Sequence, residues 1–210
     1  MAKVITIDGP GGSGKSTVAR LVAERLGWAL LDSGAVYRAL TCWGRETGSW
    51  DPEALASLLE DGSLDLSWGR VTLHEKDLSK AIREPAVTAE VWRVADLPGV
   101  RKAVNRFLRD LAERRPTVAE GRDMGTEAFP KAPLKIYLDA SPEARALRRR
   151  LQGEGETPEA LAERVRREKE RTVGGLKAAR DAVHIDATHI PAAAVVERIL
   201  AAARERDLHA

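Results

Sequence analysis

The sequence predicts an α/β fold built on a five-stranded parallel core sheet flanked by helices. Three observations predict it. Five short runs rich in Val, Ile and Leu alternate with longer segments of helical periodicity. The first run, Lys3-Val4-Ile5-Thr6-Ile7-Asp8, is apolar on both faces, as a fully buried parallel strand must be. It passes directly into a glycine-rich turn and then into an amphipathic helix.

The elements follow in order. Val18, Leu21, Val22 and Leu26 fall at helical spacing, and Gly27 stops that helix. Trp28-Ala29-Leu30-Leu31-Asp32 is a second apolar strand ending on an acid, and a helix starts at Ser33. Asp51-Pro52-Glu53 supplies a cap, an N1 proline and a first-turn acid for a helix through Glu60. Residues 62–82 then break the helical rhythm. Leu64 to Trp68 alternates, Gly69-Arg70 turns, and Val71 to His74 alternates again, which predicts an inserted β-hairpin. Helices resume near Glu84 and again from Val100 to Arg114. Pro116–Glu120, Leu134–Asp139 and Val183–Asp186 are the remaining core strands. Ser141-Pro142-Glu143 and Thr157-Pro158-Glu159 open two Arg-rich helices around a Gly153/Gly155 loop, and a C-terminal helix begins after Ile190.

The turn after the first strand reads Gly9-Pro10-Gly11-Gly12-Ser13-Gly14-Lys15-Ser16-Thr17, a match to the P-loop spacing. Glycines let the backbone wrap so that successive N–H groups face phosphate oxygens, and the following helix offers its positive end to the same anion. In such a loop Lys15 reaches the β- and γ-phosphates and the Ser16 hydroxyl ligates Mg²⁺. The fold expected is therefore a P-loop NTPase fold. The GTPase branch is disfavoured: Asp96-Leu97-Pro98-Gly99 has DxxG lettering but follows no core strand, and the guanine-reading Asn/Thr-Lys-x-Asp motif is missing.

Composition narrows the rest. In 210 residues there are 34 basic and 32 acidic side chains, a net charge of +2, which argues against a bulk-charge nucleic-acid binder. Cys42 is the only cysteine, so neither a disulfide framework nor a Cys-based zinc site is available, and a reducing, cytoplasmic setting is expected. No apolar run reaches the ~18 residues of a membrane span, and Met1 to Gly9 does not read as a signal peptide. His74, His184, His189 and His209 are scattered and form no metal or acid–base constellation.

Three further segments carry a family resemblance. They are Leu31-Asp32-Ser33-Gly34-Ala35-Val36-Tyr37-Arg38-Ala39, Glu120-Gly121-Arg122-Asp123-Met124-Gly125-Thr126 and Leu138-Asp139-Ala140-Ser141. With the P-loop, in this order and spacing, they closely resemble the bacterial cytidylate kinase family over almost the whole chain. The resemblance implies a single kinase domain spanning 1–210. Its core would cover 1–40, 100–150 and 172–210, with an inserted β-containing NMP-binding region at about 41–99 and a short lid at about 148–171. It implies ATP-dependent, Mg²⁺-assisted phosphorylation of CMP and dCMP by a monomeric enzyme with no nucleic-acid or membrane partner.

The resemblance also implies roles. Lys15, Arg38, Arg122 and Arg171 would serve catalysis. Residues Gly9 to Thr17, with Arg148 from the lid, would hold ATP, and Ser16 would reach the metal. Ser33, Tyr37, Arg38, Arg101, Arg122, Asp123, Arg164, Glu168 and Arg171 would hold the acceptor nucleotide, with Asp123 accepting from the cytosine amino group and Arg101 reaching the ring. The chemistry agrees, because two anionic nucleotides must lie side by side and the planar guanidinium binds phosphate bidentately. Arg38 and Arg122 follow strand ends that open on the P-loop edge of a parallel sheet. Glu120 and Asp32 are both candidates for the acid near Mg²⁺.

The chain departs from the family pattern in four places. Trp92 aligns where a base-reading serine is usual. In the RDxxDxxR helix, Val165 and Glu168 replace the two Asp residues, with Glu168 still able to reach the ribose hydroxyls. Arg164, Glu168 and Arg171 share one helix face by spacing, as a nucleotide-facing surface or a salt-bridged stripe would. Gly174-Gly175 replaces the usual Ala-Pro, which suggests looser chain there.

Overall fold

The computed structural model describes residues 3–67, 70–151, 157–171 and 174–208. Strand β1 (Val4–Asp8), buried at every position, leads through the glycine-rich turn into α1 (Lys15–Leu26), and Gly27 caps that helix. Then come β2 (Ala29–Asp32), α2 (Ser33–Thr47) and α3 (Pro52–Glu60). Two aspartates start these helices: Ala35 N donates to Asp32 at 2.9 Å and Ala54 N donates to Asp51 at 2.8 Å.

The insertion is larger than a hairpin. Strands β3 (Leu64–Ser67), β4 (Arg70–Leu73) and β5 (Lys76–Asp77) form a three-stranded antiparallel sheet. The third strand is two exposed polar residues, with no apolar alternation to reveal it. The helix expected near Glu84 is two short ones, α4 (Pro85–Glu90) and α5 (Trp92–Ala95), and α6 (Pro98–Glu113) follows. Strand β6 (Thr117–Gly121) runs into a single π-helical turn over Met124–Ala128. The chain ends with β7 (Leu134–Asp139), α7 (Pro142–Leu151), α8 (Pro158–Glu170), β8 (Val183–Asp186) and α9 (Ala192–Arg204). The predicted Gly153/Gly155 loop lies outside the described residues, as does Gly69 of the hairpin turn.

The main sheet has five strands in the order β2-β6-β1-β7-β8, every pair parallel. One apolar layer, including Val36, Leu40, Leu55, Val104 and Leu108, covers one face, and a second, including Val18, Val22, Ile199 and Leu200, covers the other. Burial from both sides is why the strands read as continuous apolar runs. The connection after β1 runs one way, past β6 to β2, and the connection after β6 runs the other, past β1 to β7. That creates a crevice at the carboxyl ends of β1 and β6. The register aligns those ends, with Asp8 opposite Gly121 and Asp32 opposite Glu120.

A third apolar group holds the α7–α8 region down: Leu161, Val165 and Leu176, with Tyr137 and Ala146 packed against them. Val165, one of the departures from the family pattern, thus anchors α8.

Candidate active site

The P-loop occupies the crevice. Gly14, at φ +96, is the N-cap of α1 and holds a left-handed conformation that a side chain would strain. The turn is braced from behind by α7: Arg148 donates to Ser13 O at 2.9 Å and also bonds Ala187 O, while Arg145 donates to Ala140 O at 3.1 Å. The Ser13 hydroxyl is buried and has no hydrogen-bond partner among the described residues. Lys15 is 8% exposed, and its ammonium makes a long 3.4 Å contact to Pro10 O. Burial, and then the Arg122 charge, pull its ammonium well below the usual lysine range, against Glu120, Glu168 and Asp32. An orphaned hydroxyl and a buried cation at one helix N-terminus fit an anionic phosphate.

Two acids follow the strands beside it. The Ser16 hydroxyl donates to Glu120 at 2.8 Å. Burial, and then Asp32, raise the Glu120 pKa above the usual carboxylate range. Asp32 is engaged otherwise, capping α2 and pairing with Arg38 at 3.3 Å. The geometry therefore ranks Glu120 ahead of Asp32 as the acid beside Ser16. No cluster of three His, Cys, Asp or Glu occurs among the described residues. One hydroxyl and one carboxylate suit a cation that keeps several waters and takes phosphate oxygens, as Mg²⁺ does.

The opposite wall is built from four places in the chain. Ser33 donates to Glu120 O at 2.9 Å, which ties α2 to β6. Arg101, in the first turn of α6, is 3% exposed; it donates to Ala95 O at 2.9 Å, pairs with Asp123, and lies 5.5 Å from the Tyr37 ring centroid. Burial opposes the Arg101 charge, but Tyr37 and Asp123 more than offset this and raise its pKa. Burial pushes up the Tyr37 phenol and the Asp123 carboxyl. Arg122 donates to Glu168 at 2.7 Å; burial works against the Glu168 carboxylate, yet Arg122 and Arg164 keep its pKa below the usual value. Arg171 donates to Asp96 at 2.6 Å.

One buried carboxylate organises this wall. Asp8, at the end of β1, accepts Met124 N at 2.8 Å and Gly125 N at 2.7 Å. It caps the π turn and so fixes Arg122 and Asp123 relative to the P-loop. Burial raises its pKa from 3.8 to about 6, with Asp123 adding and the two N–H donors opposing.

A single cleft of about 950 Å³ is lined by both walls, with Lys15, Ser16, Arg38, Arg101, Arg122 and Glu168 among the residues facing it. Every expected cleft residue except Gly9, Pro10 and the departure Trp92 lines it, including Gly11 to Thr17, Ser33, Tyr37, Asp123, Arg148, Arg164 and Arg171. Gly9 and Pro10 lie behind the turn and are buried.

The structure places the Trp92 departure and corrects two expectations. Trp92 does not face the cleft; it is 41% exposed, with Arg93 and Arg167 5.7 and 5.6 Å from its ring centroid. Thr88, Val91 and Ala95 face the cleft instead. The helix carrying Arg164 and Glu168 ends at Glu170, and Arg171 is already extended at φ −60, ψ 129, so it reaches the cleft from beyond the helix. Gly174 is not loose chain but lies against Arg101. Sequence reasoning also missed Asp8 as a site residue. Its only local sign was a charge closing an otherwise apolar run.

The fold and cleft define a P-loop kinase. Solved structures agree on the fold: the shikimate kinase from Bacteroides thetaiotaomicron is 15% identical, with a TM-score of 0.53 over 96% of this chain and 98% of that one. The shikimate kinase from Acinetobacter baumannii is 19% identical, with a TM-score of 0.50 over 99% and 96%. The sequence narrows the class. The pattern described as cytidylate kinase matches residues 5–205. The cytidylate kinase of Stutzerimonas stutzeri is 44% identical over 98% of this chain and 96% of its own, and that of Azotobacter vinelandii 43% over 98% and 96%. That of Solibacter usitatus is 38% identical over 97% and 93%. The chain belongs to the cytidylate kinase family and is a phosphate-transferring enzyme that binds nucleotides at its P-loop.

Proposed function

We propose that the enzyme transfers the γ-phosphoryl group of ATP to CMP and dCMP, giving ADP and the corresponding diphosphate. The observation that carries this reading is the convergence on one cleft of Lys15 and Ser16 from α1 and of Arg38, Arg101, Arg122, Asp123 and Arg171 from the opposite wall. The P-loop backbone and Lys15 hold the donor phosphates. The Ser16 hydroxyl, with Glu120 behind it, holds Mg²⁺, which supplies neutralisation of the β- and γ-phosphate charge. Arg38 and Arg122 grip the acceptor phosphate, and Asp123 and Arg101 read the cytosine edge. Arg164, Glu168 and Arg171 close over the nucleotides from the α8 side, and Arg148 joins the P-loop to the donor end.

The ion pairs explain how so much positive charge is tolerated before substrate arrives. Arg38, Arg101, Arg122 and Arg171 each have an acid: Asp32, Asp123, Glu168 and Asp96. Substrate phosphate competes with these acids for guanidinium, so binding reorganises a neutral wall rather than filling a strongly repulsive one. No general base is required, because positioning and charge neutralisation dominate phosphoryl transfer. The inserted region adds Thr88, Val91 and Ala95 to the acceptor-side wall, and the α7–α8 side, taken as the lid, brings Arg148, Arg164 and Glu168. Among the described residues no helix is long and apolar enough to cross a membrane, and a monomer working in a reducing cytoplasm fits the single free cysteine.

A coupled ADP-release assay with ATP and Mg²⁺ tests the reading across CMP, dCMP, UMP, AMP and GMP. CMP and dCMP should be the preferred acceptors; equal turnover of the purine nucleotides would refute it.

A further inference from the structure

The π-helical turn that follows Arg122 and Asp123 is held at both ends. Asp8 takes its first N–H groups, from Met124 and Gly125. At the other end stands Arg109 of α6, outside the set of residues that line the cleft. It lays one edge of its guanidinium on two carbonyls: Nη2 donates to Glu127 O at 2.7 Å and Nε to Ala128 O at 2.6 Å. The last carbonyls of a helical turn have no partner inside it, and a planar fork matches two adjacent ones. A carboxylate at the N–H end and a cation at the carbonyl end also complement the dipole of the turn.

The two carbonyls belong to peptide units whose other ends reach back to the start of the turn. Ala128 N, in the same unit as Glu127 O, donates to Asp123 O at 3.3 Å. Phe129 N, in the same unit as Ala128 O, donates to Met124 O at 2.7 Å. Each unit is planar, so fixing its oxygen fixes the direction of its N–H. A cation on the oxygen also polarises that N–H toward its acceptor. Arg109 therefore acts through two rigid links on the backbone of Asp123 and Met124. The same helix holds Asp123 by its side chain, since Arg101 pairs with the carboxylate. Positions 101 and 109 are about 12 Å apart along the helix axis, so α6 grips the turn at two separate points.

We infer that Arg109 is a positioning residue for acceptor-base recognition: by clamping the carbonyl end of the turn to α6, it fixes Asp123 against Arg101 from outside the cleft. The inference rests on Arg101 and Asp123 reading the acceptor base. Without the clamp, the far end of the turn is released while Asp8 still ties the near end to β1. The P-loop and Lys15 keep their places. The loss falls on the fit of the acceptor base and leaves the donor's contacts alone.

The test reads the preference for CMP over UMP, as the ratio of their kcat/KM values, well below each variant's melting midpoint. Arg109→Ala should lower that preference about tenfold and raise KM for CMP by a similar factor, with KM for ATP within about twofold of the parent. Arg106→Ala is the control: it removes a cation from the same helix, one whose pair with Glu60 is exposed, and should leave all three values unchanged. Arg109→Lys keeps the charge but offers a point donor in place of a fork, so its preference should fall between the parent's and that of Arg109→Ala. Asp123→Asn should itself lower the preference, because its amide serves uracil as well as cytosine. Adding Arg109→Ala to it should lower the preference no further. Should Arg109→Ala fold poorly, Arg109→Lys carries the test, with the preference lowered about threefold.

Asp123→Asn with an unchanged preference would overturn the base-reading role and the inference with it. Asp123→Asn lowering the preference while Arg109→Ala, or Arg109→Lys in its place, leaves it unchanged would overturn the inference alone and make Arg109 a prop of the fold. So would a loss that falls equally on KM for CMP and KM for ATP, or a further loss of preference from Arg109→Ala in the Asp123→Asn background.

Discussion

Asp8→Asn tests how much the molecule gives up to tie its two walls together. The wild-type carboxylate is buried and accepts two backbone N–H bonds from the π turn. Its pKa rises from 3.8 to about 6, a difference of about 3 kcal/mol. The folded state holds this proton more tightly than the unfolded chain does. The stabilisation is therefore complete below a pH of roughly 3.8 and is lost as the pH rises through about 6. Between about pH 5 and 7, roughly 1 kcal/mol of it disappears. Asparagine does not titrate, so the wild type should gain about 1 kcal/mol over the variant on going from pH 7 to pH 5. At neutral pH the variant escapes the burial of charge but offers one acceptor to two N–H groups, a cost of about 1–3 kcal/mol that offsets the gain. Urea unfolding followed at several pH values reads this directly. The gap between the two midpoints should move by about 0.5 M. Midpoints that run parallel from pH 5 to 7 would refute the argument, because the other groups that titrate there, Glu120 above all, are common to both proteins.

Lys15→Ala should cut turnover by orders of magnitude in the ADP-release assay without lowering the melting temperature at neutral pH, since a buried ammonium held below its usual pKa destabilises the ligand-free fold, a penalty that begins to fall only as pH rises through the depressed value and is gone only above the ordinary lysine pKa; unchanged turnover would remove the P-loop assignment. Arg38→Ala should raise KM for CMP much more than KM for ATP, and equal losses would contradict a grip on the acceptor. Trp92→Ala should leave KM for CMP within about twofold, because the indole sits outside the cleft; a tenfold rise would restore it to the base site.

Much of the fold was legible because its signals are local. Val4–Asp8, Thr117–Gly121 and Leu134–Asp139 are buried on both faces, so their apolar runs are continuous. Asp51-Pro52 and Thr157-Pro158 mark helix starts whose capping bonds reach only three residues ahead. The third antiparallel strand was invisible for the opposite reason: Lys76–Asp77 is short, polar and exposed, and pairs only because β4 lies beside it. The site divides in the same way. The P-loop, Arg38 and Arg122 follow strand ends and were readable from order along the chain. The Asp8 cap spans 116 residues in sequence and left no local trace. The direction of Trp92 depended on Arg167 arriving from α8.

The sequence by itself determined the strands, the helices, the phosphate loop and the family, because each rests on contacts between near neighbours or on a contiguous motif. The tertiary structure alone decided the strand order, which acid stands beside Ser16 and which acid holds each arginine. Those depend on which surfaces meet when distant segments pack at high density, and no short stretch of chain carries that information.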